Sequence, residues 1–147
     1  MKALLVPVDF SSMTDRVIDH AVSLARALKG GITLLHVVQP PVSTGDFALP
    51  VEAVQDAINA GEKAGREKLA GYSRMLREGG LEAEARVVHG APVLMINEEA
   101  KRVKADYIIM GSHGHGKLYD LLVGSTASGV LKDAKCAVLI LPPGGRK

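Results

Sequence analysis

Short apolar runs alternate along the chain with longer segments whose apolar positions recur every three or four residues. That alternation predicts strand and helix in turn. Residues 3–8 (ALLVPV) are a nearly continuous apolar run, as expected of a strand covered on both faces. Ser12, with Asp15 three positions on, forms a capping-box-like pair at the start of a helix. Val17, Ile18, Ala21, Val22, Leu24, Ala25 and Leu28 then keep helical spacing, and Gly30-Gly31 offers a left-handed stop.

The pattern then repeats. Residues 32–38 predict a second buried strand, followed by a loop holding Pro40, Pro41, Gly45 and Pro50. A helix over 51–78 carries Gly61, Gly65 and Gly71, each costing about 1 kcal/mol relative to alanine, so irregularity or close packing is expected there. Gly79-Gly80 ends it, and 83–89 predicts a third strand. Gly90-Ala91-Pro92 puts proline in the first turn of the next helix, whose buried stripe is Val93, Ile96, Ala100 and Val103. Residues 106–110 predict a fourth strand, a glycine-rich loop starts at Gly111, a helix begins near Ser125, and 137–141 predicts a fifth strand before Pro142-Pro143-Gly144-Gly145.

Strands separated by helices imply right-handed crossovers and an open parallel α/β sheet with helices on both faces. The 147 residues, without linker or repeat, fit a single domain over 1–147. With 47% apolar residues, such a chain buries enough surface to fold without staples. Cys136 is the one cysteine and has no partner for an internal disulfide, which points to a reducing, cytoplasmic setting. No apolar stretch reaches the roughly 20 residues that span a bilayer, and the opening segment, broken by Pro7 and Asp9, does not read as a signal peptide. A net charge of +2 and 3% aromatics argue against a nucleic-acid binder. Lys29, Lys104, Lys132 and Lys135 read as solvated cations near helix C-termini, where the helix dipole favours them.

In an open parallel sheet, ligands bind beyond the carboxyl ends of the strands. Two loops there stand out: 7–12 (PVDFSS) after the first strand, and 111–117 (GSHGHGK) after the fourth. Three glycines in six residues allow close backbone approach to an anion. Gly124-Ser125-Thr126 opens a helix whose free N–H groups and hydroxyls suit phosphate oxygens. On loop chemistry alone these glycines could equally serve only as turns and Ser125 only as a cap. Gly111, Gly116 and Lys117 also match the first part of a P-loop, but Leu118 follows where a magnesium-holding hydroxyl is needed, and one strand alone remains downstream.

The actual spacing is Gly111, two residues, Gly114, nine residues, Gly124, then Ser125. This resembles the nucleotide-binding motif G-x2-G-x9-G-[ST] of the universal stress protein family. The resemblance extends through Val6-Pro7-Val8-Asp9-Phe10-Ser11, Leu34-Leu35-His36-Val37, Gly90 with Pro92, Ala105 through Gly111 and Ala137 through Leu141. It implies a Rossmann-like sheet of order 3-2-1-4-5, ATP held between the ends of strands one and four, a regulatory or stress-response role, and a homodimer. Carried onto this chain, it implies a site of Pro7, Val8, Asp9, Val37, Met110, Gly111, His113, Gly114, Gly124, Ser125 and Thr126. Within it, Asp9 takes the adenosine and metal side and Val37 meets adenine through its backbone. Gly111, His113, Gly114, Gly124, Ser125 and Thr126 surround ribose and phosphates. Ala127 stands where some members offer another hydroxyl.

An unpaired carboxylate beside a triphosphate repels it, so Asp9 must face ribose or a phosphate-bound magnesium or manganese. An Asx turn is its other reading. His113 and His115 lack the further ligands a zinc site needs, which leaves them as phosphate donors or loop histidines. His36 reads as a satisfied interior histidine, His20 and His89 carry no signal, and Cys136 reads as a small buried hydrophobe. A slow ATPase or phosphotransferase is the alternative function, but neither loop carries the arginine or glutamate such chemistry calls for. The last strand, apolar and uncharged, is the expected dimer edge.

Overall fold

The computed structural model describes residues 1–42, 48–115 and 123–144. Its elements run β1 (Ala3–Pro7), α1 (Thr14–Leu28), β2 (Gly31–Val38), α2 (Val51–Glu78), β3 (Ala83–His89), α3 (Pro92–Arg102), β4 (Tyr107–Gly111), α4 (Ser125–Asp133) and β5 (Ala137–Leu141). All strand pairs are parallel, in the order β3-β2-β1-β4-β5. From β1 the chain steps outward to β2 and β3, then returns to lay β4 on the other side of β1. The strand order therefore reverses between β1 and β4, as the family resemblance implies.

Alternation along β1 splits the core into two layers. Leu4 and Val6 face α1 and α2, packing with Val17, Ile18, Ala21, Ala25, Leu69 and Leu76. Leu5 faces the other way, with Leu35, Ile108 and Met110, against Ile96 and Ala100 of α3 and Ala127 and Val130 of α4. Leu4, Leu5, Leu34, Leu35 and Leu69 are fully buried, each burial stabilising by about 1.5–3 kcal/mol.

The glycines of α2 show what such packing requires. A Cβ at Gly61 would stand 2.7 Å from Val38, and one at Gly65 would stand 2.9 Å from the His36 ring. Close approach to β2 thus accounts for two of the helix's glycines, and α2 runs unbroken through them. Gly71 has nothing within 4 Å, and no packing requirement explains it.

Two local expectations fail. Ser12 and Asp15 do not form a capping box: α1 starts at Thr14 with Met13 as N-cap and no side-chain cap bond. The competing bonds are nearby. Asp9 Oδ1 accepts the Ser11 amide at 2.9 Å, and Asp15 Oδ1 instead accepts the Tyr72 hydroxyl of α2 at 2.8 Å. The left-handed stop of α1 falls on Lys29 (φ 51°), not on the glycines. Gly30 is needed for space, since a Cβ there would sit 2.7 Å from the Lys2 carbonyl oxygen. Gly45 and Gly145 lie outside the described residues.

Glu99 of α3 is 6% exposed and ties that helix to β3 through Arg86 (2.5 Å) and to its own next turn through Arg102 (3.1 Å). Burial pushes its carboxyl pKa up, but the hydrogen bonds and charges of Arg86 and Arg102 outweigh it and hold the group below its ordinary 4.5. A depressed folded-state pKa adds stability that is present above pH 4.5 and is lost as pH falls through the folded value. Glu99→Gln should lower unfolding stability at pH 7 by about 1.5–3 kcal/mol, the range for hydrogen bonds to a charged group, and should flatten the acid-side fall. Urea unfolding at pH 7 and pH 4 checks this. An equal loss at both pH values would contradict the ionic role.

Candidate functional site

The carboxyl ends of β1 and β4 open into a cleft of about 320 Å³, within the usual range for small-molecule sites. Pro7, Val8 and Asp9 line it from β1 and its loop, and Val37 and Gln39 from the end of β2. Met110 and Gly111 line it from the end of β4, Ser112, His113, Gly114 and His115 from the loop that follows, and Gly124, Ser125 and Thr126 from the start of α4. Every residue that the family motif pointed to meets here.

Each loop is shaped by bonds that the sequence did not display. Phe10 takes a left-handed backbone (φ 60°), costly for a residue with a side chain. Its ring is held in place against His36, with centroids 4.4 Å apart, and under the Lys68 ammonium at 4.7 Å. The His36 Nδ1–H donates to the Val8 carbonyl at 2.8 Å, which makes it the satisfied interior histidine expected of that strand position. This clamp turns the chain so that Asp9 reaches the cleft.

Asp9 makes the Asx turn that its sequence context allowed. Oδ1 accepts the Ser11 amide in an Asx turn, while Oδ2 occupies the space that a side chain at position 114 would fill. Gly114 is therefore glycine because the Asp9 carboxylate packs on its Cα. His115 Nε2 lies 2.6 Å from the Asp9 carbonyl oxygen, so the two loops are also joined by a hydrogen bond. Ser112 and His113, both buried, share a hydrogen bond at 2.8 Å between Oγ and Nδ1.

Gly124 closes the far side. Its amide donates to the Ser112 carbonyl at 2.7 Å, and a Cβ on it would stand 2.8 Å from that oxygen. The N-terminus of α4, extended at Gly124 and without a side-chain cap bond, thus abuts the end of β4 with its first amides open to the cleft. Ala127 is buried beneath.

Sequence reasoning overlooked the cleft's lining from Met13, Thr14, Val17, Gln39, Pro92 and Ile96. Their spacing gave no warning, because these positions fit core stripes or turns. Among the described residues no group of three or more His, Cys, Asp or Glu is placed to hold a metal ion. Gly116, Lys117 and Leu118, the P-loop-like part of the loop, lie outside the described residues. Cys136 is half-buried against the α3–α4 layer, more open than the buried hydrophobe expected of it, and burial, then the Asp106 charge, push its thiol pKa up. Lys104 and Lys135 line a separate recess of about 120 Å³ by the ends of α3 and α4. No helix among the described residues is long and apolar enough to cross a membrane.

An open α/β sheet with a cleft at its reversal point is the class that this architecture defines. The model of the Universal stress protein family matches residues 1–142, and the chain belongs to that family. It is 31% identical over 141 residues to Universal stress protein MJ0531 of Methanocaldococcus jannaschii, covering 95% of this chain and 81% of that one. Among solved structures, the universal stress protein UspA from Lactobacillus plantarum superposes with a TM-score of 0.84 at 22% identity, over 95% of this chain and 97% of that one. A universal stress protein family protein from Arabidopsis thaliana, solved with AMP bound, has a TM-score of 0.70 at 22% identity over 99% of this chain and 94% of that one.

Replacing Gly124 by alanine forces two backbone segments apart at a contact with no flexible atom to yield. Gly124→Ala should cost about 1–3 kcal/mol, as overpacking does. The check is a lower urea midpoint at unchanged m-value, and an unmoved midpoint would contradict the contact.

Proposed function

We infer that the protein binds an adenine nucleotide, ATP with magnesium or manganese, at the β1–β4 cleft, and that the bound nucleotide serves a regulatory, stress-response role in the cytoplasm. The observation that carries this reading is the cleft's polar rim. The uncapped start of α4, at Ser125 and Thr126, lines the cleft beside Gly114, and the close contacts at Gly111, Gly114 and Gly124 bring its walls together. Helix N-terminal amides are suited to phosphate. The AMP carried by the Arabidopsis relative supports the choice of adenosine. In this reading Pro7, Val8, Val37 and Met110 border the adenosine, and Gly111, His113, Ser125 and Thr126 hold ribose and phosphates.

Asp9 offers one carboxylate oxygen beyond its Asx turn. That donor set fits a magnesium ion bound mainly through phosphates, since such ions use one or two carboxylates and keep phosphate and water ligands. The metal supplies charge neutralisation between phosphate and carboxylate. Among the described residues lining the cleft there is no arginine, lysine or glutamate, so the donors there suit holding a nucleotide better than cleaving it.

ATP with magnesium should raise the melting temperature, because a ligand of the folded state adds RT ln(1 + [L]/Kd) to stability. Gly114→Val, whose side chain would displace the Asp9 carboxylate, should abolish that rise. No shift of the native protein at millimolar ATP would refute the reading. Recovery of intact ATP after prolonged incubation fits a binding protein, whereas repeated turnover to ADP would establish the ATPase alternative.

The same reading includes a homodimer through β5. That strand is a sheet edge with Leu139 38% exposed and no charged residue, whereas the opposite edge, β3, carries Glu84 and Arg86. Sedimentation at high concentration should give a dimer. A monomer would contradict the pairing, and Leu139→Lys should weaken it.

A further inference from the structure

The cleft has a side-chain donor that the motif does not contain. Thr14, at the first position of α1, is 5% exposed and lines the cleft, and its Oγ1 is buried without any hydrogen-bond partner. A buried hydroxyl left unpaired costs about 1–3 kcal/mol, so its retention calls for an explanation. It sits in a helix start that has no side-chain cap, where the amides of Asp15 and Arg16 are among those an α-helix leaves without an internal acceptor. Asp15, the acidic group of that turn, is engaged by Tyr72, and the Arg16 side chain, outside the cleft lining, donates from Nε to the Pro142 carbonyl at 3.2 Å.

The starts of α1 and α4 close on adjacent residues, Gly111 at the end of β4 and Ser112 just after it, from opposite faces of the sheet. A Cβ at Gly111 would stand 3.1 Å from Met13 Sδ, next to Thr14, and Gly124 bonds to Ser112. A single phosphate needs one such helix start. A longer phosphate chain can use both.

Resting on the nucleotide reading above, we propose that Thr14 Oγ1 and the open first turn of α1 form a second anion-holding arm of the cleft. This arm engages the outer phosphates of a nucleoside di- or triphosphate and sets the preference for ATP over AMP. On binding, rotation of the side chain brings the hydroxyl, covered in the free protein, to donate to a phosphate oxygen, and so it gains in the complex the partner it lacks alone.

The test is calorimetric titration of the full chain, with magnesium, by ATP and separately by AMP, for the native protein, Thr14→Val and Thr14→Ser. Thr14→Val should cut the ratio of ATP to AMP affinity about tenfold, the size expected of one charged hydrogen bond, and Thr14→Ser should restore it. The melting temperature of ligand-free Thr14→Val should equal or exceed that of the native protein, because no partner is lost. An unchanged affinity ratio would overturn the second arm while leaving the nucleotide site standing. A fall of several degrees in the ligand-free melting temperature would show that the hydroxyl serves the fold, and overturns it too. If the native protein binds neither nucleotide, the nucleotide reading falls and the arm with it.

Discussion

The whole site depends on how closely three backbone segments approach one another at the β1–β4 end of the sheet. Gly114 lies against the Asp9 carboxylate, Gly124 against the Ser112 carbonyl, and Gly111 against Met13. At Gly114 and Gly124 the approach is possible because no Cβ stands between, and at Gly111 a Cβ would press on the Met13 side chain. The result is a concave wall backed by the sheet, in which the Asp9 and His115 contacts already join the two loops. Preorganisation of that kind lowers the cost of binding.

The fold makes that approach possible. Reversal of strand order between β1 and β4 leaves their two loops without a crossover helix between them, so the loops face each other across open space. The packed layers above and below hold that geometry. On one side the Phe10–His36–Lys68 stack stabilises a left-handed turn that aims Asp9 into the cleft. On the other, α4 packs on α3 where Gly129 meets Val93, which sets the position of its N-terminus.

Much of this was legible in the chain. Periodicity located α2 and β5 to the residue, and the glycine spacing 111, 114, 124 singled out the positions where side chains are excluded. What escaped were details decided by long-range partners. The start of α1 slid from Ser12 to Thr14 because Asp15 is claimed by Tyr72, fifty-seven residues away in sequence. Lys29 took the left-handed conformation beside two glycines because Gly30 is needed to clear the Lys2 carbonyl. Thr14 gives no signal in the sequence, since a hydroxyl without a partner is a property of the folded surroundings and leaves no mark on spacing.

The central claim is that main-chain amides of two converging helix and loop starts grip a polyanion, and amide-resolved NMR during titration with magnesium-ADP tests it most directly. The account predicts large, saturating shifts at the amides of Gly111, Gly114, Gly124, Ser125 and Thr126, with the β3 edge unmoved. Saturable binding whose shifts instead cluster at the Lys104–Lys135 recess, leaving those glycines still, would contradict it.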